Sequence, residues 1–517
     1  MIISFLPIAL VLNEKVNRII KNYKQQIPNL FRMNVRNLEP KALWNYFADL
    51  NAVPRPSKKE ERVIQFMVDF GNSLGLETKK DAIQNVIIKK PATVGMEDRT
   101  TLILQSHLDM VHQKNADTNF DFDTQGIEMI VEGDWLRANG TTLGADNGIG
   151  VASIMALLAS TDIPHPALEA MFTIDEETGM TGAMQLDGSN FDGKILLNLD
   201  TEDDDELSIG CAGGIDTNTS YKYSQVAVNQ DSEIVEISLR GLLGGHSGMD
   251  IDKGRGNANK MMTRLLYYLN PIVSFQLISF DGGSLRNAIP REATVVIAVD
   301  KSKKAIIEKS IESFLAILKA EFSVIEPNFI ISTTSVGSES KAVSKEDLTK
   351  ILNTLYAVQN GVFRMSPDIK DLVEASSSLA RVILKEGEFI TQSLQRSSVE
   401  TSKDDVANTI RTAFENMGCE VVQSGDYPGW QPNPNSAILK LMTELYREMY
   451  KEEPKVKACH AGLECGILGK HLPGVDMISF GPNIRAAHSP DEKVQISSVQ
   501  KYWPFLLEVI NRTPKAN

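Results

Sequence analysis

Four uninterrupted apolar runs dominate the hydrophobic pattern of the chain. They are TLILQSH (101–107), LEAMFTI (168–174), KILLNLD (194–200) and VDMISFG (475–481). An apolar run without alternation is typical of a strand that is buried on both faces. Patterns with helical spacing, such as EPKALWNYFADL (39–50), precede or separate these runs. The chain is therefore predicted to form an α/β fold around a mostly parallel sheet.

Between residues 215 and 427 the pattern changes to alternating strands and amphipathic helices. SEIVEISLRGL (232–242) alternates, and KKAIIEKSIESFLAILKAEF (303–322) has an apolar helical face. Two similar rounds of this kind predict an inserted α+β domain of two ferredoxin-like halves, an antiparallel sheet with helices on one face. We therefore expect a discontinuous α/β domain at 33–214 and 428–517, with the insert at 215–427.

The first 32 residues form a separate case. MIISFLPIALVL is too short an apolar run to span a bilayer, and it lacks the basic region of a secretory signal. We interpret residues 1–32 as an extra leader before a start at Met33, with an export signal as the alternative. No other stretch of the sequence predicts a membrane span.

Composition and charge narrow the class of protein. The 517 residues predict two or three domains, and 42% hydrophobic with 23% charged residues is typical of a globular protein. A net charge of −14 excludes nucleic acid as the main partner, because a phosphate backbone requires a basic surface. The cysteines show neither a disulfide framework nor a Cys-x-x-Cys pair, which favours a reducing cytoplasm; they are Cys211, Cys419, Cys459 and Cys465.

Polar residues follow the ends of the four predicted strands. A Gly-rich turn before an apolar helix, GADNGIG, adds one more acid. Because sites in open α/β sheets form beyond the carboxyl ends of the strands, we expect these side chains to converge. The candidates are His107, Asp109, Asp146, Glu176, Glu177, Asp200 and His488.

So many carboxylates in one place would repel each other without cations. Imidazole and carboxylate ligands without thiolate suit Zn²⁺, with Mn²⁺ or Co²⁺ as alternatives, and a metal pair is a common hydrolytic device. Taken singly, DEETG is typical of a solvated turn and GADNG of an Asx turn. Their joint position at the ends of buried strands favours a metal centre.

The motifs together resemble a known family, the aminoacylhistidine (Xaa-His) dipeptidases. These are cocatalytic zinc peptidases related to carnosinases, aminoacylases and glutamate carboxypeptidase. The resemblance covers 33–517 and rests on SHLDMV, GADNGIG, DEETGM, GGHSGMDI, RNAIPREA, HAGLECGIL and AHSPDE. It implies a phosphorylase/hydrolase-like catalytic domain with a lid, and cytoplasmic hydrolysis of dipeptides, in particular Xaa-His dipeptides such as β-Ala-His.

The resemblance also implies roles for residues at the metal pair. Asp146 would bridge two divalent ions. His107 and Asp200 would complete one ligand set, and Glu177 and His488 the other.

Further roles follow from the same resemblance. Asp109 would orient His107, and Glu176 would be the general base. The substrate would meet residues of the insert and its surroundings, namely His246 as a carbonyl donor, Asn287, Arg396 for a terminal carboxylate, and His460. Asp175 receives no role.

Several alternatives stay open at this point. A related N-acyl amino acid deacylase or carboxypeptidase would use the same metals, and a non-catalytic metal-binding protein could share the fold. A phosphoesterase is disfavoured because no Gly-rich phosphate cradle accompanies the acids. The doubled insert could replace a partner subunit internally, or it could form a homodimer.

Overall fold

The chain divides into two compact units in the computed structural model, which describes residues 34–516. The first unit contains 34–207, Ala437–Lys455 and 474–516, and the second contains Ser208–Ser436 and Val456–Pro473. The predicted leader, residues 1–32, lies outside the described residues. Among the helices that the structure describes, none is long and apolar enough to cross a membrane.

The regular elements are named here in chain order. The α-helices are α1 (Lys41–Asn51), α2 (Glu61–Ser73), α3 (Ala145–Ala159), α4 (Glu176–Gly179), α5 (Thr181–Met184), α6 (Ala258–Leu269), α7 (Lys304–Phe322), α8 (Lys345–Ala357), α9 (Glu400–Met417), α10 (Ala437–Tyr450), α11 (Glu464–His471) and α12 (Ile496–Asn511). The strands are β1 (Glu77–Lys80), β2 (Val86–Lys90), β3 (Leu102–His107), β4 (Met129–Glu132), β5 (Trp135–Ala138), β6 (Leu168–Thr173), β7 (Ile195–Asn198), β8 (Glu206–Cys211), β9 (Gly213–Lys222), β10 (Gln225–Ala227), β11 (Ser232–Arg240), β12 (Phe275–Gly282), β13 (Ala293–Asp300), β14 (Ile330–Ser335), β15 (Lys341–Val343), β16 (Gly361–Met365), β17 (Val373–Lys385), β18 (Glu388–Ser397), β19 (Glu420–Tyr427), β20 (Lys455–Cys459), β21 (Asp476–Ser479), β22 (Ile484–Arg485) and β23 (Lys493–Gln495).

The main sheet of the first unit confirms the predicted fold class. Its strand order is β1-β2-β6-β3-β7-β21-β8-β20, and the chain passes between the units within β8 and β20. The four apolar runs form its adjacent strands β6, β3, β7 and β21, which pair in parallel. Every residue of β3, β6 and β7 is buried. Their carboxyl ends therefore lie side by side along one edge of the sheet.

A second, smaller sheet of the first unit was not predicted. It has the order β22-β23-β5-β4, and its strands are only two to four residues long. β22 and β23 pair antiparallel through Ile484 with Val494 and Arg485 with Lys493. The loop between these strands, residues 486–492, contains His488, so this sheet fixes the loop at both ends.

The second unit is built on a nine-stranded sheet whose paired strands are antiparallel. One set, β11-α6-β12-β13-α7-β14, has the strand order β14-β11-β13-β12. Another set, β9-α8-β17-β18-α9-β19, has the order β17-β18-β9-β19. In each set the first and third strands are central, which is the order of a β-α-β-β-α-β motif.

The two sets are nested along the chain, whereas the sequence pattern predicted successive rounds. The difference arises at β9, which precedes the first set and belongs to the second. β9 was missed because its buried positions include polar side chains. Thr217 Oγ1 donates to Gln395 Oε1 at 2.6 Å, and Thr219 Oγ1 lies 2.7 Å from Thr391 Oγ1.

The observed boundaries also differ from the predicted ones in three segments, because 208–214 and 428–436 lie in the second unit, as does 456–473. Residues 456–473, predicted to belong to the α/β domain, lie in the second unit. Backbone pairing explains this position, because Ala212 N donates to the carbonyl oxygens of Cys459 and Ala461 at 3.1 and 3.0 Å. The imidazole of His460 also lies 2.7 Å from Ser376 Oγ.

Candidate metal centre

The strand ends bring three of the candidate acids and one histidine to the same edge of the main sheet. His107 is the last residue of β3, and Asp200 follows β7 by two residues. Glu176 and Glu177 begin the short helix α4, directly after the turn that ends β6. Because these strands are neighbours, the side chains converge as the sequence predicted.

Asp146 reaches this edge from a different element. It lies in the first turn of α3, where its backbone is extended (φ −80°, ψ 112°) and not helical. Gly144, two residues earlier, has φ +69°, a left-handed conformation that favours glycine. The turn therefore directs the Asp146 carboxylate away from the helix axis and toward the strand ends.

The two carboxylate oxygens of Asp146 face different histidines. His107 Nε2 lies 3.1 Å from Asp146 Oδ1 and 3.6 Å from Asp200 Oδ1. His488 Nε2 lies 3.2 Å from Asp146 Oδ2 and 3.0 Å from Glu177 Oε2. These contacts define two groups of three side chains that share Asp146.

Asp109 joins two of the ligand-bearing segments. Its Oδ1 lies 3.4 Å from His107 Nδ1, on the side of the ring away from Asp146. The same carboxylate accepts hydrogen bonds from Glu176 N at 3.0 Å and Glu177 N at 3.3 Å. A fully buried carboxylate thus orients the imidazole and fixes the start of α4.

The contacts within the cluster favour protonated histidines and an ionised Asp146. Burial by itself would lower the pKa of His107, but the charge of Asp200 and hydrogen bonds with Asp109 and Asp146 raise it well above its ordinary value. Hydrogen bonds with Asp146 and Glu177 raise the pKa of His488 to about 11. Burial opposes ionisation of Asp146, yet its bonds with both histidines hold its pKa well below the usual range. A cation that binds there must displace the protons of the histidines.

The donor set fits a divalent metal ion. One ligand atom from each of His107, Asp146 and Glu177 lies within 4.8 Å of the others. Glu177 Oε1 is buried and has no hydrogen-bond partner among the residues that the structure describes. A buried carboxylate oxygen without a donor is costly unless a cation approaches it.

Asp175, which the sequence left without a role, shapes the turn beside the cluster. Its side chain accepts hydrogen bonds from the hydroxyl groups of Thr178 and Thr181, and its backbone N donates to Glu60 Oε1 at 3.1 Å. Its φ of +53° is uncommon for a residue with a side chain. Asp175 therefore fixes the left-handed turn that presents Glu176 and Glu177.

The second unit contains the residues predicted to contact the substrate. His246 lies in a loop where its Nδ1 accepts hydrogen bonds from Gly248 N at 3.1 Å and Met249 N at 3.0 Å. Burial, and then the charge of Arg396, lower the pKa of His246. The ring is therefore neutral with its proton on Nε2, and Nε2 is a hydrogen-bond donor.

Arg396 and His460 lie in the same cluster of the second unit. Arg396 is 4% exposed, its Nη1 donates to Tyr427 Oη at 2.8 Å, and its Nε has no hydrogen-bond partner among the described residues. Burial and the charge of Arg396 lower the pKa of His460 to about 3, so that imidazole is neutral. Asn287 is joined to the His246 loop through its backbone, because its carbonyl accepts from Ser247 N at 2.8 Å. This cluster has one buried positive charge that an anionic group could neutralise.

Sequence reasoning missed two buried charged residues beside the candidate metal centre. Glu492 lies four residues after His488 in AHSPDE, and Arg55 lies between two prolines in VPRPS. Both are buried, at 2% and 1% exposure. A charged residue that the fold buries gives no signal in the hydrophobic pattern, so only the three-dimensional contacts identify them.

Comparisons with known proteins identify the family of the chain. The sequence profile of Peptidase family M20/M25/M40 matches residues 103–512. The chain is 40% identical over 477 residues to the cytosol non-specific dipeptidase of Escherichia coli (strain K12), covering 92% of this chain and 98% of that protein.

Solved structures show the same likeness. The aminoacylhistidine dipeptidase from Vibrio alginolyticus superimposes with a TM-score of 0.89 at 39% identity, covering 94% of this chain and 99% of that one. A tripeptidase from Staphylococcus aureus shares the fold, with a TM-score of 0.53 at 16% identity over 92% of this chain and 98% of that one. The resemblance inferred from the motifs and the predicted peptidase class are confirmed. The chain belongs to Peptidase family M20/M25/M40.

Proposed function

We propose that this protein is a metal-dependent dipeptidase whose metal ligands are His107, Asp146, Glu177, Asp200 and His488. The observation that carries the proposal is the position of Asp146, whose two oxygens face His107 and His488 at 3.1 and 3.2 Å. A carboxylate placed in this way is suited to bridge two cations. Histidine and carboxylate donors without thiolate favour Zn²⁺, with Mn²⁺ and Co²⁺ as alternatives.

When bound, the two metal ions would supply an attacking water that is acidic enough to ionise near neutral pH. Glu176 accepts the proton of this water as it adds to the peptide carbonyl, and then passes the proton to the leaving nitrogen. During this step Asp109 orients the His107 ring and holds the start of α4 in place. His246 donates its Nε2–H to the carbonyl oxygen, which gains negative charge.

We assign the terminal carboxylate of the substrate to the Arg396 cluster. A guanidinium recognises a carboxylate through charge-assisted hydrogen bonds, and Arg396 Nε has no partner among the described residues. Asn287 and His460 are further contacts of the substrate in this proposal.

The breadth of the specificity is a separate question. The relative from Escherichia coli is named a non-specific dipeptidase, and the structure from Vibrio alginolyticus is named an aminoacylhistidine dipeptidase. We propose that Xaa-His dipeptides lie within the range of this protein. We also propose a cytoplasmic location, which is supported by the name of the former relative and by the lack of a disulfide bond among the described residues. Association as a homodimer is a further proposal that light scattering would test.

A substrate panel with and without chelator tests the function. We expect hydrolysis of β-Ala-His, Gly-His and Ala-Ala, and no release of histidine from N-acetyl-His. Treatment with EDTA should abolish hydrolysis, and Zn²⁺, Mn²⁺ or Co²⁺ should restore it. Activity that EDTA leaves unchanged would contradict the metal mechanism, and faster cleavage of N-acetyl-His would instead favour a deacylase.

A further inference from the structure

Two buried charged side chains outside the proposed ligand set contact the segments that present the ligands. Glu492 and Arg55 are 2% and 1% exposed, and both belong to the first unit. Burying a charge is costly unless hydrogen bonds compensate it. The partners of these two side chains therefore indicate what each of them stabilises.

The carboxylate of Glu492 accepts hydrogen bonds from four consecutive backbone N–H groups. Its Oε2 accepts from Leu143 N at 2.7 Å and from Gly144 N at 2.9 Å. Its Oε1 accepts from Ala145 N at 2.7 Å and from Asp146 N at 3.3 Å. One carboxylate thus fixes the entire turn that ends at Asp146.

Arg55 holds the same turn from its carbonyl side and connects it to the end of β3. Its Nη2 donates to the carbonyl oxygen of Gly144 at 2.6 Å. Its Nη1 donates to the carbonyl oxygens of Leu108 and Asp109, at 3.1 Å each. The guanidinium therefore sets the spacing between the segment of His107 and the turn of Asp146.

Gly144 is the residue on which both side chains act. Its N–H binds Glu492 and its carbonyl binds Arg55. A Cβ atom at this position would lie against Arg55 Nη2 and 2.9 Å from Met110 Sδ, so the close approach requires glycine. We refer to Arg55, Glu492 and Gly144 together as the turn clamp.

We propose that Arg55 and Glu492 are positioning residues that set the distance between His107 and Asp146 and thereby the metal affinity of the protein. This inference rests on the ligand assignment of the proposed function. Neither residue touches the substrate or the metals in this scheme. Removal of groups that orient metal ligands typically weakens metal binding by ~10–100-fold.

Glu492→Gln is the sharpest test, because it keeps the shape of the side chain. The amide nitrogen cannot accept a hydrogen bond, so two of the four N–H groups lose their acceptor. Glu169→Gln is a matched control in the same unit. Glu169 is 3% exposed and its carboxylate accepts from Asp192 N and Gly193 N, both at 3.0 Å, away from the proposed ligands.

Both variants and the unaltered protein would be stripped of metal and titrated with Zn²⁺ against a chromophoric chelator. We expect Glu492→Gln to bind Zn²⁺ at least tenfold more weakly, and Glu169→Gln to remain within threefold of the unaltered protein. Urea unfolding of the metal-free proteins measures the general loss of stability of each variant, so that it can be separated from the loss of Zn²⁺ affinity. If Glu492→Gln does not fold, Arg55→Lys provides the same readout, because it keeps the charge but has a single nitrogen.

The inference would be overturned if Glu492→Gln weakened Zn²⁺ binding less than tenfold. It would also be overturned if Glu169→Gln weakened Zn²⁺ binding as much as Glu492→Gln does. Failure of the unaltered protein to bind Zn²⁺ would overturn the ligand assignment as well, so the two failures are distinguishable.

Discussion

The three consecutive acids after β6 have different surroundings, which explains how a folded chain tolerates them. Asp175 binds the hydroxyl groups of Thr178 and Thr181. Glu177 faces His488 at 3.0 Å. Glu176 is held through its backbone N by Asp109 and is assigned no metal. The three neighbouring acids therefore have separate places: one shapes a turn, one is a proposed metal ligand and one is the proposed base.

Glu176→Gln separates catalysis from metal binding. Because glutamine cannot accept the proton of the attacking water, we expect kcat to fall by ~10²–10⁴-fold. The metal content, measured by atomic emission, should stay unchanged. The neighbouring change Glu177→Gln is the control, and it should lose metal as well as activity. Near-normal kcat in Glu176→Gln would disprove the assignment of the base.

His165 gives a prediction about stability and pH. It is fully buried, its Nδ1 lies 2.7 Å from the carbonyl oxygen of Pro166, and burial lowers its pKa. As the pH falls, the unfolded chain is protonated at its ordinary pKa of ~6.5, whereas the folded protein resists protonation. The contribution of neutral His165 to the free energy of unfolding is fully present above pH ~6.5. It is lost as the pH falls toward the lowered pKa of the folded protein.

His165→Gln should remove this component. We would measure urea unfolding of both metal-free proteins at pH 7.5 and pH 5.5. The loss of unfolding free energy between these values should be smaller in His165→Gln than in the unaltered protein. An identical loss in both proteins would show that His165 does not contribute to the pH dependence.

At the scale of elements, α3 joins the hydrophobic core to the candidate metal centre. Thirteen of its fifteen residues are buried, and its first turn contains Asp146. Gly150 faces β3 and the segment after β7, where a Cβ atom would lie against Ser106 Oγ and 2.8 Å from the carbonyl oxygen of Leu199. The helix approaches the sheet this closely because position 150 has no side chain.

Gly150→Ala should therefore destabilise the protein in spite of the higher helix propensity of alanine. Overpacking a tight core typically costs ~1–3 kcal/mol, against ~1 kcal/mol gained from propensity. Urea unfolding would measure the difference. Gly337→Ala is the control, because no atom lies within 4 Å of a Cβ there, and it should change stability little. Equal stability of Gly150→Ala and the unaltered protein would contradict this packing.

At the scale of the whole molecule, the residues proposed to bind the metals and those proposed to bind the substrate belong to different units. All five proposed metal ligands belong to the first unit, whereas the Arg396 cluster belongs to the second. Each unit has a hydrophobic core of its own. A metal that binds the folded first unit should thus stabilise it without needing the second cluster.

Metal addition should raise the melting temperature of the metal-free protein. Binding to the folded state alone stabilises by ~2.7 kcal/mol at a hundredfold excess over Kd. Differential scanning fluorimetry would measure the shift. Asp146→Asn should abolish most of it, because both ligand sets lose charge. Arg396→Gln should keep the shift while dipeptide hydrolysis falls. A full shift in Asp146→Asn would exclude Asp146 as the shared ligand.

The sequence by itself determined the four central strands of the main sheet and the resemblance to the family. Uninterrupted apolar runs are typical of strands buried on both faces, and polar residues after parallel strands are expected to meet at one edge. That reasoning predicted that His107, Glu177 and Asp200 lie together. The hydrophobic pattern did not predict the nested order of the second unit, because β9 has polar residues at buried positions.

Only the tertiary structure decided which charged residues support the ligands. Glu492 binds the N–H of Leu143 from 349 residues away in the chain, and Arg55 binds backbone carbonyls of two separate segments. Their partners are backbone groups, which every residue possesses, so no residue pattern marks the contact. Asp175 is a similar case, because its left-handed backbone is visible only in three dimensions.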